Sequence, residues 1–486
     1  MSIGDEDGYD LWLRYRPVDN PDRLAQYRQA IGGVVVLGQG ATAGIVRGEL
    51  ERALPALLGG PVPFLAQPPA GKALVVGTIQ ALEAVGVTIP QDCQLGEEGF
   101  LIRSHRAGGD DWIVITGNAP PAVLTGTFHF LRLFQTHRDI GALDVTSRPR
   151  IRHRILSHWD NIDGSIERGY AGRSLWHWDA LPETIDPRYH DYARACASVG
   201  INGTILNNVN AQAESLSSDY LVKAAALADL FRPYGICVYL SPLFSAPMAL
   251  GNLSTSNPRD PAVAAWWREK ADEIYRLMPD FGGFQVKANS EGQPGPRDYG
   301  ANHDDGANLL AEALAPHGGV VLWRAFVYDT TIDADRAKCA YKEFVPLDGA
   351  FRPDVFVQAK NGPVDFQPRE PFHPLLGGME QTPLALELQI TQEYLGQSIH
   401  LVYLAGMWKE ILDSDTYAQG PGSTVARIVD GSLYGHRTSS IVGVANTGSD
   451  RNWCGHHFSQ ANWYGFGRLA WDHQPVSYTH LRAHET

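Results

Sequence analysis

The chain has 486 residues, enough for two or three domains, and its 44% apolar and 19% charged fractions are ordinary for a globular enzyme. A formal net charge of −14 argues against nucleic acid and anionic membranes as partners, because phosphate binding needs a basic surface, but one or two local Lys or Arg can still hold a small carboxylate. The 5 cysteines are scattered without CxxC spacing, which describes reduced thiols rather than a disulfide framework or a zinc site, and no run approaches the roughly 18 apolar residues of a membrane-spanning helix.

The opening residues, MSIGDEDGYDLWLRY, lack the basic stretch and apolar core of a secretory signal, so a cytoplasmic location is expected. Residues 1–149 read as a small α+β domain. Short β-branched runs at Val34–Leu37, Ala73–Val76, Phe100–Ile102 and Trp112–Ile115 lie between Gly- and Pro-rich turns, and Leu124–Gln135 reads as an apolar helix. The Gly-rich pieces at Gly38–Gly44 and Gly59-Gly60 read as turns, since they lack the Lys-Ser/Thr of a phosphate-binding loop.

From Arg150 the rhythm changes to short apolar strands alternating with longer amphipathic segments, the pattern of repeated β/α units. Strands are expected at Ile155–His158, Gly203–Leu206, Ile236–Leu240, Gly283–Val286, Val320–Trp323, Val355–Gln358, Leu384–Gln389 and Ile441–Val444. Leu401–Leu404 competes for the eighth place, but it runs on into the helical MWKEIL. Helices are expected at Tyr189–Ser198, Tyr220–Phe231, Ala262–Leu277, Asn308–Ala315 and Ala334–Tyr341. The fold class is therefore α/β, with a (β/α)8 TIM barrel over residues 150–457 after the N-terminal α+β domain. Residues 458–475 read as the start of a helical C-terminal domain that is mostly missing, which would leave the apolar face of Asn462–Asp472 exposed. Residues 476–486, VSYTHLRAHET, fit neither a helix nor a strand pattern and read as a non-native tail.

Polar and aromatic residues collect just after the expected strands, at the rim where a parallel barrel carries its chemistry. His158-Trp159-Asp160-Asn161 follows the first strand and Asn207-Asn208-Val209-Asn210 the second. Lys287 to Glu291 follows the fourth, Arg324 the fifth, Lys360-Asn361 and then Asp365 the sixth, and Gln392-Glu393 the seventh. Glycoside hydrolysis needs one carboxylic acid to protonate the departing oxygen and another carboxylate to activate water or attack the sugar carbon. Glu291, Asp365 and Glu393 are the strand-end acids that can supply that set.

These segments resemble glycoside hydrolase family 67, the α-glucuronidases. The resemblance runs from EDGYDLWLRY (Glu6–Tyr15) to FSQANWYGFGRLAWD (Phe458–Asp472). It passes through SHWDNIDGSIERGYAG, ILNNVNA, KANSEGQPGP, LWRAFVY, VQAKNGPVDFQPREP, LELQITQEYLGQ and YLAGMWKEIL, in that order. It implies an inverting hydrolase that releases (4-O-methyl-)α-D-glucuronic acid α-1,2-linked to xylose in short xylooligosaccharides from glucuronoxylan. The sequence shows no cofactor motif, and such a mechanism needs no metal. Residue by residue, it makes Glu291 the general acid, and Asp365 and Glu393 the carboxylates that position and activate water, without ranking those two. It makes Lys287 and Arg324 the cations for the substrate carboxylate, with Lys360 as a further one. Trp159 becomes an aromatic wall beside the sugar and Val209 an apolar contact for the 4-O-methyl group. A cation four residues from Glu291 would lower the acid's pKa, so Lys287 is expected to be committed to substrate, with Asp365, Glu393 or burial acting on Glu291 in the opposite sense. The family continues into a helical C-terminal domain that supports dimerisation, and its absence puts the homodimer and full activity in question. Alternatives are a glucuronate-binding barrel impaired in turnover, and a metal-dependent sugar-acid isomerase or lyase for which His158 and Asp160 could begin a ligand set.

Overall fold

A computed structural model describes residues 6–90, 93–326, 331–445 and 447–474, so the 476–486 segment lies outside the described residues. The N-terminal domain is a mixed sheet of β1 (Val34–Val36), β2 (Gly71–Val76), β3 (Phe100–Ala107), β4 (Asp110–Gly117) and β5 (Asp144–Ser147), ordered β1-β2-β4-β3-β5. β1, β2 and β4 run parallel, while β3 is antiparallel to both β4 and β5. The helices Ala41–Leu58 and Pro120–Gln135 pack against one another, and the second lies on the sheet. The first of them replaces part of the turn expected at 38–44. Its signal is masked because it starts after Gly40 without a side-chain cap and carries Gly44, Gly48 and Pro55, all poor helix residues.

The second domain is a closed barrel of eight parallel strands: β6 (His153–His158), β7 (Gly203–Ile205), β8 (Cys237–Leu240), β9 (Gly283–Val286), β10 (Val320–Arg324), β11 (Val355–Lys360), β12 (Leu384–Gln389) and β13 (Ser440–Ala445). Pairing of β13 with β6 closes it, so Ile441–Val444 and not Leu401–Leu404 supplies the eighth strand. Asp186, Ser217, Asp260 and Asp335 cap the helices that begin at Pro187, Ser218, Pro261 and Arg336. Each side chain accepts a backbone N–H that the first helical turn leaves unpaired, and such a cap contributes about 1 kcal/mol.

The helix His457–Trp471 follows β13 and packs as the outer helix of that last unit. Its apolar face is not exposed, as the sequence suggested: Trp463, Phe466, Leu469, Ala470 and Trp471 are all buried. Trp463 packs edge-on to Trp12, Trp471 donates its indole N–H to Ser147 at 2.9 Å, and the Arg154 guanidinium lies over the Trp471 ring. The Asn462 amide clamps the backbone at Val402 and Leu404. The apolar face is covered by the N-terminal domain and the barrel together. Ion pairs join the two domains further, with Arg194 forked onto the buried Glu49 at 2.6 and 2.8 Å and the buried Arg154 paired with the half-buried Glu98 at 2.5 Å.

Candidate active site

In a barrel strand every second residue points inward, so each strand sets a ladder of side chains from the bottom of the barrel to its C-terminal mouth. The lowest rung is an apolar plug that includes Ile155, Ile205, Val320, Leu322, Phe356, Ala385 and Val442. Two residues further up, Ser157, Gln285 and Gln358 form a buried hydrogen-bonded row, at 3.0 and 3.3 Å. Charged groups come next: Lys287 just past β9, Arg324 at the end of β10, Lys360 at the end of β11, and Glu387 on β12. All four are buried.

Lys287, Arg324 and Lys360 converge on one ring. The Lys287 amine lies 5.2 Å, the Arg324 guanidinium 5.3 Å and the Lys360 amine 3.3 Å from the centre of Phe326. Like charges held this close need compensation. Arg324 is forked onto Glu387, Nε to Oε2 at 2.9 Å and Nη2 to Oε1 at 2.8 Å, and although burial works against its charge, Glu387 raises its pKa. Burial pushes the Lys360 amine down to about 8, despite its ion pair with Asp365. Burial and the Arg324 charge also lower Lys287. Three buried cations gathered at the mouth suit an anionic ligand group that can share or replace their carboxylate partners.

Glu291 sits in the tight turn Ser290–Gln293, closed by a 3.0 Å bond from the Gln293 N–H to the Ser290 carbonyl. Its φ is 49° and that of Gly292 is 79°, the left-handed pair that Asn-Gly adopts at low cost and Glu does not. The neighbouring backbone is fixed by Asn289, which donates to Asp298 at 3.1 Å and accepts from the Arg297 N–H at 3.0 Å. Only glycine fits at 295, where a Cβ would collide with the Asn289 side-chain oxygen. The Glu291 side chain is 54% exposed and accepts from the Lys287 amine at 2.5 Å, while that amine also donates to Asn210 at 2.7 Å. Lys287, expected to be committed to substrate, here pairs with Glu291, and the burial expected as one way of acting on Glu291 is not present, its side chain being half exposed. Four residues of turn bring the acid back over the strand end from which Lys287 rises.

Asp365 and Glu393 are more enclosed. Asp365, also left-handed at φ 63°, accepts from the Lys360 amine through one oxygen and from the Tyr394 hydroxyl through the other. Burial would raise its pKa, but the Lys360 charge and the hydrogen bonds from Lys360 and Tyr394 hold it below the usual carboxylate range. Glu393 accepts from Arg168 Nε at 2.6 Å and from the Gln389 amide at 3.0 Å. Trp159 and Val209 come together with Phe366 and Val444 in a small apolar cluster. His158 and Asp160 do not open onto this space. His158 is hydrogen-bonded to the Tyr192 hydroxyl at 2.7 Å and pushed down to about 3 by burial, and Asp160 accepts from Ser174 at 2.5 Å and is raised by burial to about 7. Among the described residues no group of three His, Cys, Asp or Glu is placed to hold a metal ion.

The structure thus brings Lys287, Arg324 and Lys360 around one ring, ties Glu291 and Asp365 to two of them, and places Trp159 beside Val209. Sequence reasoning missed Phe326, Glu387, Glu167, Arg168, Gln389 and Tyr394, and placed Asn210 at the rim without giving it a role. For Phe326 and Glu387 a signal existed: Phe326 is two residues beyond Arg324, and Glu387 is a lone acid inside the apolar strand LALELQ.

Comparison with known proteins places this geometry in context. Residues 11–130 match the Glycosyl hydrolase family 67 N-terminus, and residues 133–453 match the Glycosyl hydrolase family 67 middle domain. The chain is 42% identical over 487 residues to alpha-glucuronidase A of Emericella nidulans, covering 96% of this chain and 56% of that protein. It is 39% identical over 481 residues to alpha-glucuronidase A of Aspergillus tubingensis and 38% over 483 residues to the alpha-glucuronidase of Hypocrea jecorina, with the same coverage of 96% and 56%. The chain therefore spans about half the length of these curated relatives. Among solved structures, CpGH84B superposes with a TM-score of 0.53 at 11% identity, covering 93% of this chain and 69% of that one. A family GH115 4-O-methyl-alpha-glucuronidase with specificity for decorated arabinogalactans superposes with a TM-score of 0.51 at 11% identity, covering 91% and 56%. At that identity the likeness is one of fold.

Proposed function

The chain belongs to glycoside hydrolase family 67, and from that premise we propose that it is an α-glucuronidase, releasing (4-O-methyl-)α-D-glucuronic acid α-1,2-linked to xylose in short xylooligosaccharides, with inversion. The observation that carries this reading is the convergence of Lys287, Arg324 and Lys360 on Phe326, with candidate carboxylates attached to the two lysines. A uronic acid differs from a neutral sugar by one carboxylate. A buried cluster of three cations beside acid/base groups favours that difference, since a substrate carboxylate can take up the amine donors of Lys287 and Lys360 that a neutral sugar leaves on Glu291 and Asp365.

In this reading the substrate carboxylate binds Lys287, Arg324 and Lys360, and the sugar lies against Trp159, with Val209 next to the 4-position. Glu291 protonates the xylose oxygen as the glycosidic bond breaks. Water held by Asp365 and Glu393 attacks the anomeric carbon from the opposite face, and one of the two accepts its proton. Lys287 plays two parts: it holds Glu291 before substrate arrives, and the incoming carboxylate draws it away, freeing the acid to be protonated. The Glu291–Lys287 ion pair also favours a second reading, a glucuronate-binding barrel without turnover, in which that pair never opens.

An NMR time course with aldotriouronic acid tests the proposal. Free β-(4-O-methyl)glucuronic acid appearing first, and absent with Glu291→Ala, is the expected result. Release of the α anomer first would sink inversion. Retained glucuronate binding without release would favour the second reading.

A further inference from the structure

Glu167 and Arg168 are neighbours in the loop that leaves β6, and they reach opposite halves of the barrel mouth. The loop is held by backbone contacts to several elements. The Glu167 N–H donates to the Trp159 carbonyl at 2.8 Å, Asp160 pairs with Ile166, the Asn208 N–H donates to the Asp160 carbonyl at 2.8 Å, and Ser174 pairs with Gly448. On one side Glu167 Oε2 accepts from the Asn208 and Asn210 amides at 2.9 and 2.7 Å. The Asn210 oxygen then accepts from the Lys287 amine at 2.7 Å, and that amine donates to Glu291 at 2.5 Å. On the other side Arg168 Nε donates to Glu393 Oε1 at 2.6 Å, across 225 positions of sequence. Arg168 has φ 62°, a conformation that a residue with a Cβ adopts where its surroundings impose it. An ion pair with an Arg that is 42% exposed adds little to stability, so the strained backbone and the short contact need another reason.

We propose that Glu167 and Arg168 form one positioning strut: Glu167 sets Lys287, and through it Glu291, by way of Asn210, while Arg168 sets Glu393, so that a single loop holds the spacing between the proton-donating and water-side carboxylates. The inference rests on the reading of the site given above. It assigns different consequences to adjacent side chains. Glu167 acts through a cation for the substrate carboxylate, and its loss is felt in binding. Arg168 acts on a water-side carboxylate, and its loss is felt in turnover.

The test is steady-state kinetics of the full chain on aldotriouronic acid, with crystal structures of the same variants. Glu167→Ala should raise KM about tenfold with a smaller change in kcat, as expected for a weakened charge-assisted contact, and Glu167→Gln should recover part of the loss. Arg168→Ala should lower kcat by about 100-fold with KM nearly unchanged, the scale of a misplaced reacting group, and Arg168→Lys should recover part of it. Equal changes in KM and kcat for both variants, or none, would overturn the strut. An inactive parent chain would bring down the functional reading instead. The crystal structures then decide the strut alone: Lys287 displaced in Glu167→Ala and Glu393 displaced in Arg168→Ala uphold it, and both side chains unmoved refute it.

Discussion

Glu291, on the turn after β9, has a side chain 54% exposed and is paired with a buried lysine. Asp365 and Glu393, after β11 and β12, have side chains 20% and 13% exposed, and each has both carboxylate oxygens engaged. The comparison separates two ways of building a carboxylate site. The pair assigned to water is locked by crossed hydrogen bonds, which costs nothing more when charge develops in the transition state. Glu291, the acid of the proposed mechanism, stands on a strained turn open to solvent, where a substrate carboxylate can change its partner.

The sharpest way to break that division is to remove the need for an acid. Glu291→Gln should slow release from aldotriouronic acid by roughly 10²–10⁴-fold but recover on 4-nitrophenyl α-D-glucuronide, whose leaving group departs unprotonated. Asp365→Asn and Glu393→Gln should be slow on both substrates, and equal losses for all three variants would erase the distinction. A change away from the mouth gives the contrast in stability. Phe466→Ala, in the buried helix behind β13, should cost about 3–5 kcal/mol in urea unfolding and leave KM of the folded fraction unchanged.

The cation cluster sharpens the comparison through pH. Lys360 titrates near 8 in the fold, against an ordinary 10.5, so glucuronate affinity measured by calorimetry should fall as pH rises through 8. Lys360→Arg should push that limb upward, since a guanidinium keeps its charge. The effect on stability has the opposite sign. Between about 8 and 10.5 the unfolded chain holds more of this proton, so the contribution of Lys360 to stability rises with pH across that window. The smallest expected effect is at the turn. Glu291→Asn, as slow on aldotriouronic acid as Glu291→Gln, should stabilise the chain by up to about 1 kcal/mol in thermal unfolding, because Asn tolerates φ 49° better than Glu. A loss of stability would mean that the ion pair with Lys287 outweighs the backbone strain.

Much of this architecture was legible in the chain itself. All eight barrel strands lie where short apolar runs bounded by Gly and Pro put them, and the strand-end cations Lys287, Arg324 and Lys360 do meet at one rim. The helix Ala41–Leu58 was hidden by its glycines and proline. The helix His457–Trp471 was visible as a helix, but its place was not, because an apolar face states that it must be buried and not what buries it.

Sequence by itself determined what is local: which runs form strands, where they stop, and which charged groups stand just beyond them. Side-chain alternation and turn chemistry act over a few residues, so they can be read there. Only the tertiary structure decided who pairs with whom. Arg324 finds Glu387 across 63 positions and Glu393 finds Arg168 across 225, because barrel closure carries distant strand ends to a common rim. At that rim burial makes an unpaired charge too costly to leave alone, and the partners that satisfy it are set by direction and distance in space.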